Sequence, residues 1–310
     1  MRPSVTSPRR WHPALVLISI LAACTSKESN DTTPIADSPA AAAGAVATSA
    51  RVPVTSTSDE AATLYTRGRD LAEQLRSHDA RQLFLEAVKK DSTFAMAHYS
   101  LALTAPTAKE FFQHVNHAVA YSDKASDGER LLILSLQANA NADRAKALQY
   151  AEQVVAKYPQ DERAHFNLGN AYVGRQAYDK AIAEFKKAID INPNFSPAYN
   201  SLAYAYRPVG NDAEAERAFK KYIELVPNDP NPYDSYAELL MKMGRFDESI
   251  QQYRKALSID PKFGSSHVGI AADLMYQGKH DQAIAEAQQL YDAATDDGDR
   301  RTAMFTQVVT

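Results

Sequence analysis

Cysteine is nearly absent from this 310-residue chain: Cys24 is the only one. No intramolecular disulfide can therefore form. Glycine is scarce at 11 residues, and Ala, Leu, Lys, Glu, Gln and Tyr are plentiful, which favours helices over strands. No basic block interrupts a net charge of −4. Removing the first 23 residues takes away Arg2, Arg9 and Arg10 and no acid, leaving a still more acidic chain. That balance argues against nucleic acid as a partner. There is no Gly-rich phosphate loop, no Gly-x-Ser-x-Gly and no His-Glu-x-x-His. The sequence carries no catalytic constellation, so it reads as a non-enzyme with no cofactor.

What the chain does have is a period. Pro159, Pro193, Pro227 and Pro261 stand 34 residues apart. Each closes a segment of the same layout: small and apolar residues at helical spacing, a turn, and a second helical stripe. A 34-residue helix–turn–helix period predicts stacked pairs that grow around one continuous core. Small residues recur in the first helix (Gly169, Ala203, Ala237, Ala271) and in the second (Ala181, Ala215, Ser249, Ala283), so paired backbones can approach closely. Gly210, Gly244 and Gly278 mark the turn between helices. Each proline ends its unit because it cannot continue a helix.

These positions resemble the tetratricopeptide repeat. Leu168, Gly169, Tyr172, Ala181, Phe185, Ala188 and Pro193 fill seven of the eight signature places in the unit 162–195, with His165 where Trp is usual. Units 196–229, 230–263 and 264–297 follow, the last degenerating toward its end. Three weaker units precede them at 61–94, 95–127 and 128–161, the second one residue short. The resemblance implies an all-α fold: a right-handed superhelical solenoid of about seven helix pairs, four of them clear, over residues 59–297. Residues 298–310 begin another apolar pattern, read as a partial helix or cap, or as a sign that the chain continues naturally beyond it.

The N-terminus reads as a targeting segment. A basic start leads to the apolar run ALVLISILAA at 14–23, too short for a stable bilayer anchor. Leu21-Ala22-Ala23-Cys24 resembles the lipobox of bacterial lipoproteins. That resemblance implies cleavage after residue 23 and lipidation of Cys24. Thr25, in place of Asp, implies the outer membrane facing the periplasm in a host with two membranes. An ordinary secretory signal and twin-arginine export are the alternatives. Residues 24–58, rich in Ser, Thr, Ala and Pro, are read as a disordered tether. As a flexible coil it would separate lipid and repeats by roughly 30 Å.

Register then proposes a binding surface. In the family the first helices line a concave groove, and the positions between the packing residues point inward. Here these are Arg163, Phe166, Asn167, Asn170, Asn200, Tyr204, Arg207, Asn231, Asp234, Glu238 and Met241. Amide, aromatic and charged groups suit an extended peptide. One sub-family grips a C-terminal carboxylate with a Lys, Asn and Arg clamp. Asn170 fits that clamp, but Phe166, Ser201, Asn231 and Ser235 depart from it. His114 and His117, three apart on an expected helix, are half of a metal pattern with no further ligand nearby in sequence, and read as packing or surface residues. His165 reads as structural. The expected function is a lipid-anchored scaffold of the bacterial envelope that binds a protein or peptide. A solute- or glycan-binding lipoprotein, or a regulatory part of a longer protein, is the alternative.

Overall fold

Fourteen α-helices alternate with short turns in the computed structural model, which describes residues 50–294 together with 300, 303, 304 and 306. The signal segment, Cys24 and most of the expected tether lie outside the described residues. So does most of 298–310, of which 300, 303, 304 and 306 are helical. No strand occurs among the described residues, and none of their helices is long and apolar enough to cross a membrane.

The helices form seven pairs: α1 (Asp59–Glu73) with α2 (Ser77–Lys90), α3 (Ala95–Leu103) with α4 (Ala108–Ala120), and α5 (Asp127–Ala140) with α6 (Arg144–Lys157). Then come α7 (Glu162–Val173) with α8 (Tyr178–Ile191), α9 (Ser196–Tyr206) with α10 (Asp212–Leu225), α11 (Asn231–Lys242) with α12 (Phe246–Ile259), and α13 (Gly264–Tyr276) with α14 (His280–Ala293). Each helix packs mainly on the one before and the one after it. First helices also touch the next first helix, at α3–α5, α7–α9 and α11–α13. Second helices make no comparable contacts, so the first helices occupy the inner side of the curve.

The seven expected units are thus present, at their expected register. Phe84, Phe185, Phe219 and Tyr253 of the second helices are all at most 3% exposed and fill the space left by small residues opposite. At Gly169 a Cβ would sit 2.5 Å from the Phe185 ring, so the close helix approach requires glycine there. The inter-helix turn uses one left-handed residue, at Leu75, Ala142, Gln176, Gly210, Gly244 and Gly278. The last five recur every 34 residues, but only the last three are glycines.

Side-chain caps start several helices. Ser58 caps α1, Thr107 caps α4, and Asp161 caps α7 by accepting from the Arg163 and Ala164 amides. Ser126 and Glu129 form a reciprocal capping box on α5. Pro197 and Pro232 stand in the first turn of α9 and α11, where a missing N–H costs nothing.

The sequence reading extended the tether to Ser58, and here the structure differs. Residues 51–58 lie as an ordered strap across the end of α2 and the starts of α5 and α7. Val54 packs on the core cluster around Tyr65, Phe84 and Phe94, and Val52 on the cluster of Val154, Tyr158 and Ala164. Composition hid this, because Ser, Thr and Pro are also what an extended, backbone-bonded segment is made of.

Candidate functional site

Three carboxylates hold the strap, and each divides its two oxygens between two tasks. Asp161 uses Oδ1 to cap α7 and Oδ2 to accept the Val52 amide at 2.8 Å. Glu129 closes the α5 capping box with Oε2 and accepts the Thr55 amide with Oε1 at 2.9 Å. Asp91 takes Thr93 on Oδ1, and the Thr57 amide and Ser56 hydroxyl on Oδ2, both at 2.8 Å. Burial pushes the Asp91 carboxyl up, but these donors more than offset it and hold it well below the usual range. Arg51 adds an ion pair to the buried Glu162 at 3.2 Å. Asp91 at the end of α2, and Glu129 and Asp161 at the starts of α5 and α7, therefore form a row of acceptors for the backbone of an extended chain.

Beside the strap lies a cavity of about 530 Å³, walled by Val52 and Val54 of the strap and by Tyr65, Met96, Tyr99, Leu132, Phe166 and Phe195. A neighbouring cavity of about 330 Å³ shares Tyr99, Leu132 and Phe166 and continues to Asn167 and Asn170. The end of α1 closes the space. Glu73 pairs with Arg163 of α7 at 2.5 and 3.0 Å, and its carbonyl accepts from the Ser196 hydroxyl of α9. Burial raises the Glu73 carboxyl more than Arg163 and Arg69 lower it, so this closing pair adds little net stability. A third, polar recess of about 800 Å³ lies outside the closure, between α1 and the loops after α8 and α10.

The eleven expected surface residues fall into two groups. Arg163, Phe166, Asn167 and Asn170 line the cavities. The rest lie further along, outside them, and several are committed to neighbours. Glu238 of α11 accepts from Tyr204 at 3.0 Å and Arg207 at 2.8 Å, both on α9 or its cap, and the Arg207 guanidinium lies 4.9 Å from the Tyr204 ring centre. Burial raises Glu238, but Arg207 and Tyr204 bring it below its usual range. Burial pushes the Tyr204 hydroxyl up to about 12. Asp234 accepts from Ser265 and Ser266 of α13, and Asn231 from Tyr222 and Ser235. Met241 is partly buried, and the Asn200 side-chain oxygen is buried without a hydrogen-bond partner. Register placed four of its eleven residues at these cavities. It missed Tyr65, Met96, Tyr99 and Leu132, which belong to the weaker early units.

A second recurrence concerns the fourth residue of each unit. His165, Tyr199, Tyr233 and His267 reach back to the carbonyls of Pro159, Pro193, Pro227 and Pro261 at 3.1–3.4 Å. His165 and His267 also bond, through Nδ1, to Glu184 and Glu286 nineteen residues on. His165 is thus a structural latch between units, as its register suggested.

Family models agree with this architecture. Three tetratricopeptide repeat models match residues 138–203, 196–229 and 230–263. The chain is a tetratricopeptide repeat protein. Solved structures share the fold. One is the Cut9–Hcn1 hetero-tetramer of APC/C, at TM-score 0.61 and 14% identity, covering 80% of this chain and 49% of that one. A thermophilic tetratricopeptide protein of Thermus thermophilus gives 0.45 and 23%, covering 69% and 99%. A MamA from Desulfovibrio magneticus gives 0.48 and 16%, covering 54% and 96%. No curated protein matches the sequence.

Proposed function

We propose that this tetratricopeptide protein is a non-enzymatic scaffold that holds an extended protein segment on its inner face. The observation that carries the reading is the strap. The array already binds eight extended residues of its own chain, using side-chain carboxylates for their backbone amides and an apolar wall for Val52 and Val54. The cavities beside it offer the same mixture to a second segment: aromatic walls, and the amides of Asn167 and Asn170. Protein binding is also the role that fits a repeat fold whose inner surface, rather than any reactive group, is its distinctive product.

The lipobox ending in Cys24 supports a finer reading, in which lipid fixes the scaffold in the bacterial envelope and the residues up to the strap are its tether. Two experiments address the two parts. Fatty-acid labelling in the native host should mark the wild-type chain and not Cys24→Ser; labelling of both would remove the anchor. Capture of the mature protein from envelopes should recover a partner that Phe166→Glu with Asn170→Lys no longer retains. An unchanged set of co-purifying proteins would contradict the inner-face assignment.

A further inference from the structure

In the second repeat the latch residue has no acid to bond. His98 occupies the same fourth position as His165 and His267, and its Nε2 lies 3.1 Å from the Ser92 carbonyl. In the other two units the residue nineteen positions on is a glutamate. Here that residue is His117, and His114 lies one helical turn before it. The ring centre of His98 stands 5.4 Å from that of His114 and 4.9 Å from that of His117. One ring nitrogen from each of the three lies within 4.8 Å of the others. His117 Nδ1 is buried with no hydrogen-bond partner.

We propose that His98, His114 and His117 form a site for a divalent transition cation of the zinc class, pinning α3 to α4. Three arguments converge. Two imidazole nitrogens on one tetrahedral zinc sit about 3.3 Å apart, and His98 Nδ1 and His114 Nδ1 are 3.2 Å apart. A His117 ring nitrogen completes the triplet within 4.8 Å of the other two. The other nitrogen of His98 donates to a backbone carbonyl, the usual outer-shell bond that fixes which nitrogen of a histidine faces a metal. Three imidazoles without a carboxylate also choose the cation: nitrogen donors suit zinc, cobalt, nickel or copper rather than calcium or magnesium. His114 and His117 are only partly buried, so a water molecule can take the fourth position. The second repeat is the unit that needs such a pin. It is one residue short and has no left-handed turn residue between its helices.

The test uses the untagged full chain carrying Cys24→Ser, so that no thiol competes, stripped with chelator and titrated with Co²⁺. One equivalent should produce the visible absorption of tetrahedral cobalt, and Zn²⁺ should displace it and raise the melting temperature. His114→Gln and His117→Gln should each weaken binding at least 100-fold, whereas His280→Gln should leave it unchanged. Because His98 is packed inside, the two less buried variants carry the test, with far-UV circular dichroism showing that they fold without metal. Absence of stoichiometric binding would overturn the site, as would binding that survives both substitutions. Neither result bears on partner capture, because the cluster is not among the residues lining the inner cavities.

Discussion

Single residues decide how closely the repeats pack, and one of them works against stability. Asp273 on α13 is fully buried, and neither carboxylate oxygen has a hydrogen-bond partner. Burial pushes it up to about 6. Since its folded value lies above the unfolded one near 3.8, the protein loses stability as pH rises from about 4 through 6. Asp273→Asn should therefore stabilise the fold at pH 7 by about 1–2 kcal/mol, with part of the linkage offset by the buried amide's own needs. At pH 4 the gain should nearly vanish. Urea denaturation at the two pH values checks this, and an equal effect at both would refute it. Asp273 could not have been singled out from sequence, where it is one of many acids on helix faces. The small residues were readable because they obey the period. Gly169 facing Phe185 is what the repeat pattern led one to expect.

At the scale of elements, the helices and most of their turns were legible, because period, proline and glycine all mark the same boundaries. The exceptions are informative. Leu75, Ala142 and Gln176 adopt the same left-handed turn as Gly210, Gly244 and Gly278, so the early units form the turn without the residue that makes it easy. A left-handed non-glycine costs roughly 1–2 kcal/mol, partly balanced by the greater chain entropy of glycine. Ala142→Gly and Gln176→Gly should each raise stability by about 0.5–1 kcal/mol, measured as a shift of the urea midpoint at constant slope. The strap is the element that sequence hid, since its order comes from carboxylates 34 to 109 residues away. Asp91 has its carboxyl held low, so its contribution is full above pH 4 and is lost as pH falls below that. Hydrogen exchange should show the Val52, Thr55 and Thr57 amides protected at pH 7 and jointly exposed in Asp91→Ala with Asp161→Ala, while α9–α12 keep their protection. Exchange of all three at the rate of a free peptide in the wild type would mean that the strap is not docked.

Across the array, function follows from stacking. First helices that pack on one another leave their exposed residues on one continuous inner surface, and contact between α1 and α7–α9 shapes the early part of that surface into half-open cavities. The sequence reading placed its candidate surface in units 162–263, where the repeat signature is strongest. The cavity-lining units are 61–195, where Met96 and Tyr99 stand at the register positions of Arg163 and Phe166. A repeat signature reports packing, so it says little about the residues between the packing positions. The proposed binding on this inner side rests on the strap, the acceptor row and the cavities. The most direct test is a photo-crosslinking side chain placed at Asn170, on the inner face, and separately at Glu224, exposed on the second helix α10. In native envelopes Asn170 should give a discrete adduct that Phe166→Glu abolishes, and Glu224 should give none. Equal adducts from both positions, or an Asn170 adduct that persists in Phe166→Glu, would contradict binding on the inner face.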